Sequence, residues 1–306
     1  MSLALLFPGQ GSQFVGMGRE LSETFPEARA VFEEADDVLG FSLSGLMFDG
    51  PDDELTATRN AQPALLTHAV AALRVLAPRV DTPSCAAGHS LGEFGAHVAA
   101  GTLSFADALG AVRRRGELMY EAGLARPGTM AAVLGLDDAT LEQVCADVTA
   151  GICVPANFNS EGQIVISGDV AGVKQGMELA QQAGAKRAIE LNVSGAFHSP
   201  LMAPAEAGLA EHLAQLSFSD PTFAVYANVD AAPVLEGALA RERLVTQLTA
   251  PVRWSATIPA MVAAGVDRFI EVGPGNVLCG LNRRNARGVT CSSVGSPSDF
   301  EALEAS

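Results

Sequence analysis

With 306 residues, 35 acidic against 19 basic side chains and a net charge of −16, the chain can build one large domain or a domain carrying an insertion, and its surface repels phosphate backbones. Aromatic residues make up only 6%, too few for a base-stacking surface, so nucleic-acid binding is excluded. The five cysteines, Cys85, Cys145, Cys153, Cys279 and Cys291, include no C-x-x-C pair, which argues against a disulfide framework or a zinc knuckle and suits a reduced cytoplasm.

The first element is an apolar strand over residues 3–7, stopped by Pro8; no basic n-region precedes it, so it reads as a buried strand rather than a signal peptide. No run reaches the length of a membrane span. The turn Phe7-Pro-Gly-Gln-Gly-Ser-Gln13 follows. A dinucleotide fingerprint would need glycine at 14, where the chain has Phe14. Gln10, Ser12 and Gln13 either point amides and N–H groups into a site at the sheet's carboxyl edge or satisfy their own turn. Helical spacing covers 16–40 with Gly40 as C-cap, and a second helix opens at Asn60-Ala-Gln62-Pro63 and runs to the break at Pro78.

Residues 84–88 are small and apolar, as a buried strand requires, and the proline-free stretch up to Ala100 suits a helix. Between them lies Gly88-His89-Ser90-Leu91-Gly92, the G-x-S-x-G of a nucleophile elbow, in which a strained turn exposes a serine hydroxyl. A Cβ on either flanking glycine would clash in so crowded a turn, and Ser90 becomes the candidate nucleophile. His89, Glu93 and His97 have helical metal-ligand spacing, but Glu93 and His97 fit a polar helix face better, and His89 a residue packed in the turn. In the next helix, 105–122, Arg113, Arg114 and Arg115 point in three directions, and one can face the site, where its fork would bind a carboxylate.

Residues 126–194 change texture: strand 129–134, helix 138–148, strand 152–156, turn 157–162, strand 163–167, helix 170–183 and strand 187–193. That βαββαβ order predicts a ferredoxin-like subdomain inserted in a body made of 1–125 and 195–306. His198 stands in a glycine turn where the chain re-enters the body. A serine nucleophile needs a base, and His198 is better placed than His68 or His212, both at helical positions. Strand 223–228, helices 243–248 and 255–264 and strand 268–272 complete a parallel α/β sheet.

Read together, Phe7-Pro-Gly-Gln-Gly-Ser-Gln13, Gly88-His-Ser-Leu-Gly-Glu93, Arg115-Gly116, Asn157-Phe-Asn-Ser160, Gly195-Ala-Phe-His198, Gln247-Leu-Thr-Ala-Pro-Val252 and Glu271-Val-Gly-Pro-Gly275 resemble, in order and over nearly the whole chain, the malonyl-CoA:acyl carrier protein transacylases, an acyltransferase family of fatty-acid and polyketide synthesis. The resemblance implies an α/β-hydrolase-like body with the ferredoxin-like insertion. It implies Ser90 as nucleophile, His198 as base held by a main-chain carbonyl near Gln247, and an oxyanion hole from the N–H groups of Gln10 and Leu91. Arg115 would hold the malonyl carboxylate, with Gln247, Asn157, Asn159 and Phe197 as further substrate-binding positions. Phe197 is the pattern that goes with malonyl rather than methylmalonyl. Malonyl-CoA and acyl carrier protein are the implied partners, with CoA and phosphopantetheine entering as carriers and no permanently bound cofactor or metal. Two departures are noted: Glu161 stands where proline is more usual, and Thr249-Ala250 precede Pro251. Lys186, Arg187, Arg283, Arg284 and Arg287 are candidates for docking an acidic carrier protein or serve solubility alone. A serine hydrolase and a non-catalytic docking subunit remain competing readings, and a trans-acting acyltransferase of a polyketide pathway is the alternative within the family.

Overall fold

The computed structural model describes residues 2–304. Among the described residues ten strands follow one another: β1 (Leu3–Phe7), β2 (Cys85–Gly88), β3 (Gly128–Leu134), β4 (Cys153–Ser160), β5 (Gln163–Asp169), β6 (Arg187–Glu190), β7 (Ala224–Tyr226), β8 (Pro233–Val234), β9 (Arg268–Val272) and β10 (Thr290–Val294). Six of them form one sheet in the order β10-β9-β1-β2-β7-β8. Every neighbouring pair is parallel except β7 and β8.

All five residues of β1 are buried, as expected for a parallel strand covered on both faces. Leu3, Leu5 and Phe7 join the larger core with residues of the helices Thr58–Leu76 and Phe105–Ala125, while Ala4 and Leu6 face Trp254, Ile258 and Phe269 on the other side. Phe7 is paired with Gly88, so the turns that follow β1 and β2 leave the sheet together at its carboxyl edge.

The other four strands form an antiparallel sheet in the order β4-β5-β3-β6. β4 runs further than its sequence suggests. The segment 157–162 reads as a turn, yet Asn157, Phe158 and Ser160 stay paired with β5 across two register shifts, leaving only Glu161 and Gly162 to turn. Irregularities of this kind let polar residues remain in a strand while the strand bends. Phe158 N donates to Val252 O, and Val252 N to Ala156 O, which ties this sheet to the chain ahead of the helix Trp254–Ala263.

Three further differences have identifiable causes. The helical run 16–40 is broken into Arg19–Thr24 and Pro26–Leu39, because Phe25, ahead of Pro26, is extended. The second helix starts at Thr58, and Pro63 lies inside it, where it leaves the carbonyl of Arg59 without its helical donor. Arg113 Nη1 donates to that carbonyl at 3.0 Å. Finally, Cys279 and Cys291, twelve residues apart, form a disulfide between the helix Val277–Asn285 and β10, contrary to the expectation of free thiols. Spacing alone could not show that the fold brings them together; Cys85, Cys145 and Cys153 are free and buried.

Candidate active site

The elbow forms as its glycines require. A Cβ on Gly88 would lie 1.9 Å from the carbonyl carbon of Gly92, and one on Gly92 would lie 2.1 Å from Phe7 O. Ser90 takes the left-handed conformation with φ 51°, and the helix Gly92–Ala99 begins two residues later. Its Oγ is 2.8 Å from His198 Nε2, and His198 also has positive φ, at 57°. Strained backbone at both members of a pair is typical of a functional site held by its surroundings.

His198 Nδ1 faces two main-chain carbonyls, Gln247 O at 2.9 Å and Ala250 O at 3.2 Å. A carbonyl only accepts, so the ring proton is on Nδ1 and Nε2 is free to accept from Ser90. Burial, followed by the nearby Arg115 charge, lowers the His198 pKa to about 3, so the ring is neutral at pH 7 and Nε2 keeps its lone pair for the serine proton. The expected main-chain carbonyl near Gln247 is present. Ala250, one of the noted departures, touches the histidine as well, but through its carbonyl, which any residue would supply.

The three consecutive arginines separate as helical geometry requires. Arg113 pairs with Glu117, Arg114 is half exposed beside Glu117 and Glu121, and Arg115 is buried. Arg115 donates to Gln62 Oε1 at 2.8 Å, Gln247 Oε1 at 2.9 Å and Ser90 Oγ at 3.2 Å. Burial lowers its pKa to about 10, partly offset by Glu93, which still leaves it charged at pH 7. Among the described residues no carboxylate lies within ion-pair distance of it.

Ser90, His198 and Arg115 meet in a cavity of about 780 Å³ that Gln10, Leu91, Asn157 and Phe197 also line. Two of the sequence candidates do not line it. Gln247 is fully buried behind Arg115, where Nε2 donates to Ser90 O and Glu93 Oε2. Asn159 lies a layer away: its Oδ1 bonds His89 Nε2, and its carbonyl accepts from Asn285 Nδ2. Gln10 Nε2 donates to Thr58 Oγ1, which bonds Ser194 Oγ, so hydroxyls hold the loop after β1. Lys186, Arg187, Arg283, Arg284 and Arg287 are all exposed.

The helix after the elbow needs a correction. Glu93 and His97 were expected on a polar face, but both are fully buried. They do not join His89 around a metal: His89 bonds Asn159, His97 bonds Thr102, and Glu93 binds Gln247 and the main-chain N–H of Asn228. Gln62, Glu93 and Asn228 are the polar site residues that sequence reasoning missed. For Asn228 a signal existed in its place at the carboxyl end of a buried parallel strand, where sites in such sheets are built.

So many buried ionisable groups set the response to acid. Burial lowers His68 to about 4 and His97 and His198 to about 3, and lowers His89 as well, while it raises Glu93 to about 7 and also raises Glu271. Each histidine contributes stability that is complete above its unfolded value near 6.5 and is lost as pH falls toward its folded value. The two glutamates act in the opposite sense, losing stability as pH rises through their raised folded values. Four groups against two leave net proton uptake on unfolding below pH 6.5, worth about 1.4 kcal/mol per pH unit for each net proton. Tm should therefore fall between pH 7 and pH 5, and His97→Gln should flatten that slope. A Tm that rises on acidification in thermal melts would contradict this balance.

Comparison with known proteins places the whole chain in one family. A malonyl CoA-acyl carrier protein transacylase of Bacillus subtilis (strain 168) is 50% identical over 301 residues, covering 98% of this chain and 95% of the relative. The crystal structure of an acyl carrier protein S-malonyltransferase from Vibrio cholerae superposes with a TM-score of 0.96 at 41% identity, covering 99% of this chain and all of the other. A malonyl-transacylase in complex with its holo type II polyketide-synthase acyl-carrier protein gives a TM-score of 0.95 at 41% identity, with both chains fully covered. The model of the acyl transferase domain matches residues 4–297, and the chain belongs to that family.

Proposed function

We propose that the protein transfers malonyl groups from CoA to the phosphopantetheine thiol of an acyl carrier protein, through an ester on Ser90, in fatty-acid synthesis. The observation that carries this reading is Arg115: a buried cation 3.2 Å from the nucleophile with, among the described residues, no carboxylate within ion-pair distance. A malonyl carboxylate would complete that pairing, whereas an acyl group without one would leave the charge uncompensated. Relatives named for this reaction support it across 98% of the chain.

Ser90 Oγ attacks the thioester carbonyl while His198 Nε2 takes its proton. The carbonyl π electrons move to oxygen, where the N–H groups of Leu91 and Gln10 at the cavity wall receive the charge; losing one such donor typically costs about 10²-fold or more. As the C–S bond breaks, His198 returns the proton to the departing CoA thiolate. The second half reverses these roles: the carrier thiol gives its proton to His198 and attacks the malonyl ester, and Ser90 recovers its hydroxyl. CoA and phosphopantetheine act only as carriers, so no resident cofactor or metal is required. Gln247 acts from behind, orienting Arg115 and supplying its carbonyl to His198. Asn157 and Phe197 shape the acyl cavity, Phe197 occupying space that a methylmalonyl methyl would need. Asn159 acts through His89.

The fine description of the fold belongs to the same proposal. The body of 1–125 and 195–306 is α/β-hydrolase-like, and 126–194 is a ferredoxin-like subdomain, for which the order β4-β5-β3-β6 is the support. Carrier protein docks near Lys186 and Arg287. Lys186 packs over Gly135, whose N–H bonds Gly162 O, and Arg287 approaches Glu161 to 3.9 Å, so the two cations flank one junction. A cytoplasmic site of action fits the three free, buried cysteines but draws no support from the Cys279–Cys291 pair; among the described residues no helix is long and apolar enough to cross a membrane. The structural match to the polyketide-synthase complex makes a trans-acting polyketide acyltransferase the second reading.

The test is incubation with labelled malonyl-CoA and holo carrier protein. Label should appear on the carrier. Free malonate without carrier labelling would establish a hydrolase instead, and no Ser90 labelling at all would leave a non-catalytic docking subunit.

A further inference from the structure

Asn228 is fully buried two residues beyond β7, and each of its four polar atoms makes a hydrogen bond. Its side-chain Oδ1 accepts from Ser90 N at 2.7 Å and Nδ2 donates to Gly88 O at 2.7 Å. Its main-chain N donates to Glu93 Oε2 at 3.0 Å, and its carbonyl accepts from Arg253 N at 2.9 Å. One carboxamide thus bridges the two residues that bracket His89 and closes the elbow from below.

The left-handed conformation of Ser90 costs a non-glycine residue about 1–3 kcal/mol unless the surroundings hold it. We infer that Asn228 is a positioning residue that holds Ser90 in this conformation and so aims Oγ at His198 and at the incoming acyl carbonyl. This rests on Ser90 being the nucleophile of the acyl transfer proposed above. Only a carboxamide places one acceptor and one donor where this turn needs them; a carboxylate would set a second acceptor against Gly88 O, and an alkyl group would satisfy neither atom. Glu93 Oε2 extends the brace, because it also accepts from Gln247 Nε2, and Gln247 O holds His198. One carboxylate oxygen thus links the supports of the nucleophile and of the base.

Asn228→Asp turns this into a pH-dependent test. The charged and titratable groups about the position are Glu93, which accepts from its main-chain N–H, Arg253, whose main-chain N–H bonds its carbonyl, Asp230 two residues on, and, through Ser90, the adjacent His89 and the Arg115 and His198 that bond Ser90 Oγ. When ionised, the new carboxyl opposes Gly88 O. When protonated, it donates to that carbonyl and still accepts from Ser90 N, restoring the original pattern. Single-turnover acylation by malonyl-CoA should therefore be slowed at pH 8, and the ratio of the variant rate to the parent rate should rise about 10-fold by pH 5.5. Asn228→Ala should acylate about 10²-fold more slowly than the parent at both pH values, with unchanged affinity for malonyl-CoA.

The same ratios are read in parallel from labelling of Ser90 by a fluorophosphonate probe, which needs the elbow but no malonyl chemistry. If the parent takes the probe but no malonyl group, the transacylase reading falls and the probe ratios still decide the role of Asn228. A ratio for Asn228→Asp that is flat with pH, or an Asn228→Ala rate equal to the parent's, overturns the inference. Rates are expressed per folded molecule, and if one variant does not fold, the other decides.

Discussion

Replacing Ser90 with alanine should lower malonyl transfer by about 10⁴-fold or more, because loss of the nucleophile in a serine–histidine pair removes the covalent route altogether. Stability should change little, since among the described residues the Ser90 hydroxyl bonds only His198 and Arg115. Intact-mass measurement after mixing with malonyl-CoA checks both halves of the argument. The parent should gain one malonyl group, and the variant none. A variant that still forms an acyl-enzyme would place the nucleophile elsewhere. His198→Ala should approach the same loss, because without a base 2.8 Å away the Ser90 hydroxyl stays protonated at neutral pH.

The second large effect is on selectivity. Arg115→Ala should reduce kcat/KM for malonyl-CoA by about 10²- to 10³-fold, the scale of stranding one member of a buried ion pair. Acetyl-CoA has no carboxylate to strand, so its rate should fall much less, and the malonyl-to-acetyl ratio is the quantity to measure. Arg115→Lys should recover only part of the loss. A single ammonium cannot reproduce the planar fork that reaches Gln62, Gln247 and Ser90 together. Equal losses for malonyl and acetyl would remove the carboxylate-clamp role and leave Arg115 as a support for Ser90 alone.

Much of this site could be read from the letters because its demands are local. An elbow needs glycine on both sides of its serine, and the 1.9 Å and 2.1 Å approaches at Gly88 and Gly92 show why no other residue fits. Strand, turn and helix around Ser90 are specified within about fifteen residues, so β2 and the helix Gly92–Ala99 fall where the pattern puts them. The periodicity of 128–190 likewise marks the smaller sheet, since alternation in strands and helical spacing are short-range properties. The break at Pro26 is set by the proline itself, whereas the boundaries that failed at Thr58 and Asn157 are those where a distant partner changes the local balance. Arg113 caps the carbonyl freed by Pro63, and β5 keeps Asn157 and Ser160 in a strand that their polarity argues against.

The sequence by itself determined the kinds of chemistry present: a serine on an elbow, a histidine in a glycine turn, an arginine with no evident structural reason to be buried, and the order of the elements that carry them. Helical spacing left open which of three adjacent arginines faces the serine, since that depends on the rotation of one helix against its neighbours; the resemblance named Arg115, and the tertiary structure buries it beside Ser90. Only the tertiary structure decided that Glu93 lies in the core rather than on a surface, that Asn228, 138 residues away in the chain, closes the turn beneath Ser90, and that Cys279 meets Cys291. These are long-range meetings of single polar atoms. No local periodicity encodes them, because a buried donor or acceptor is satisfied by whichever partner the fold brings within about 3 Å.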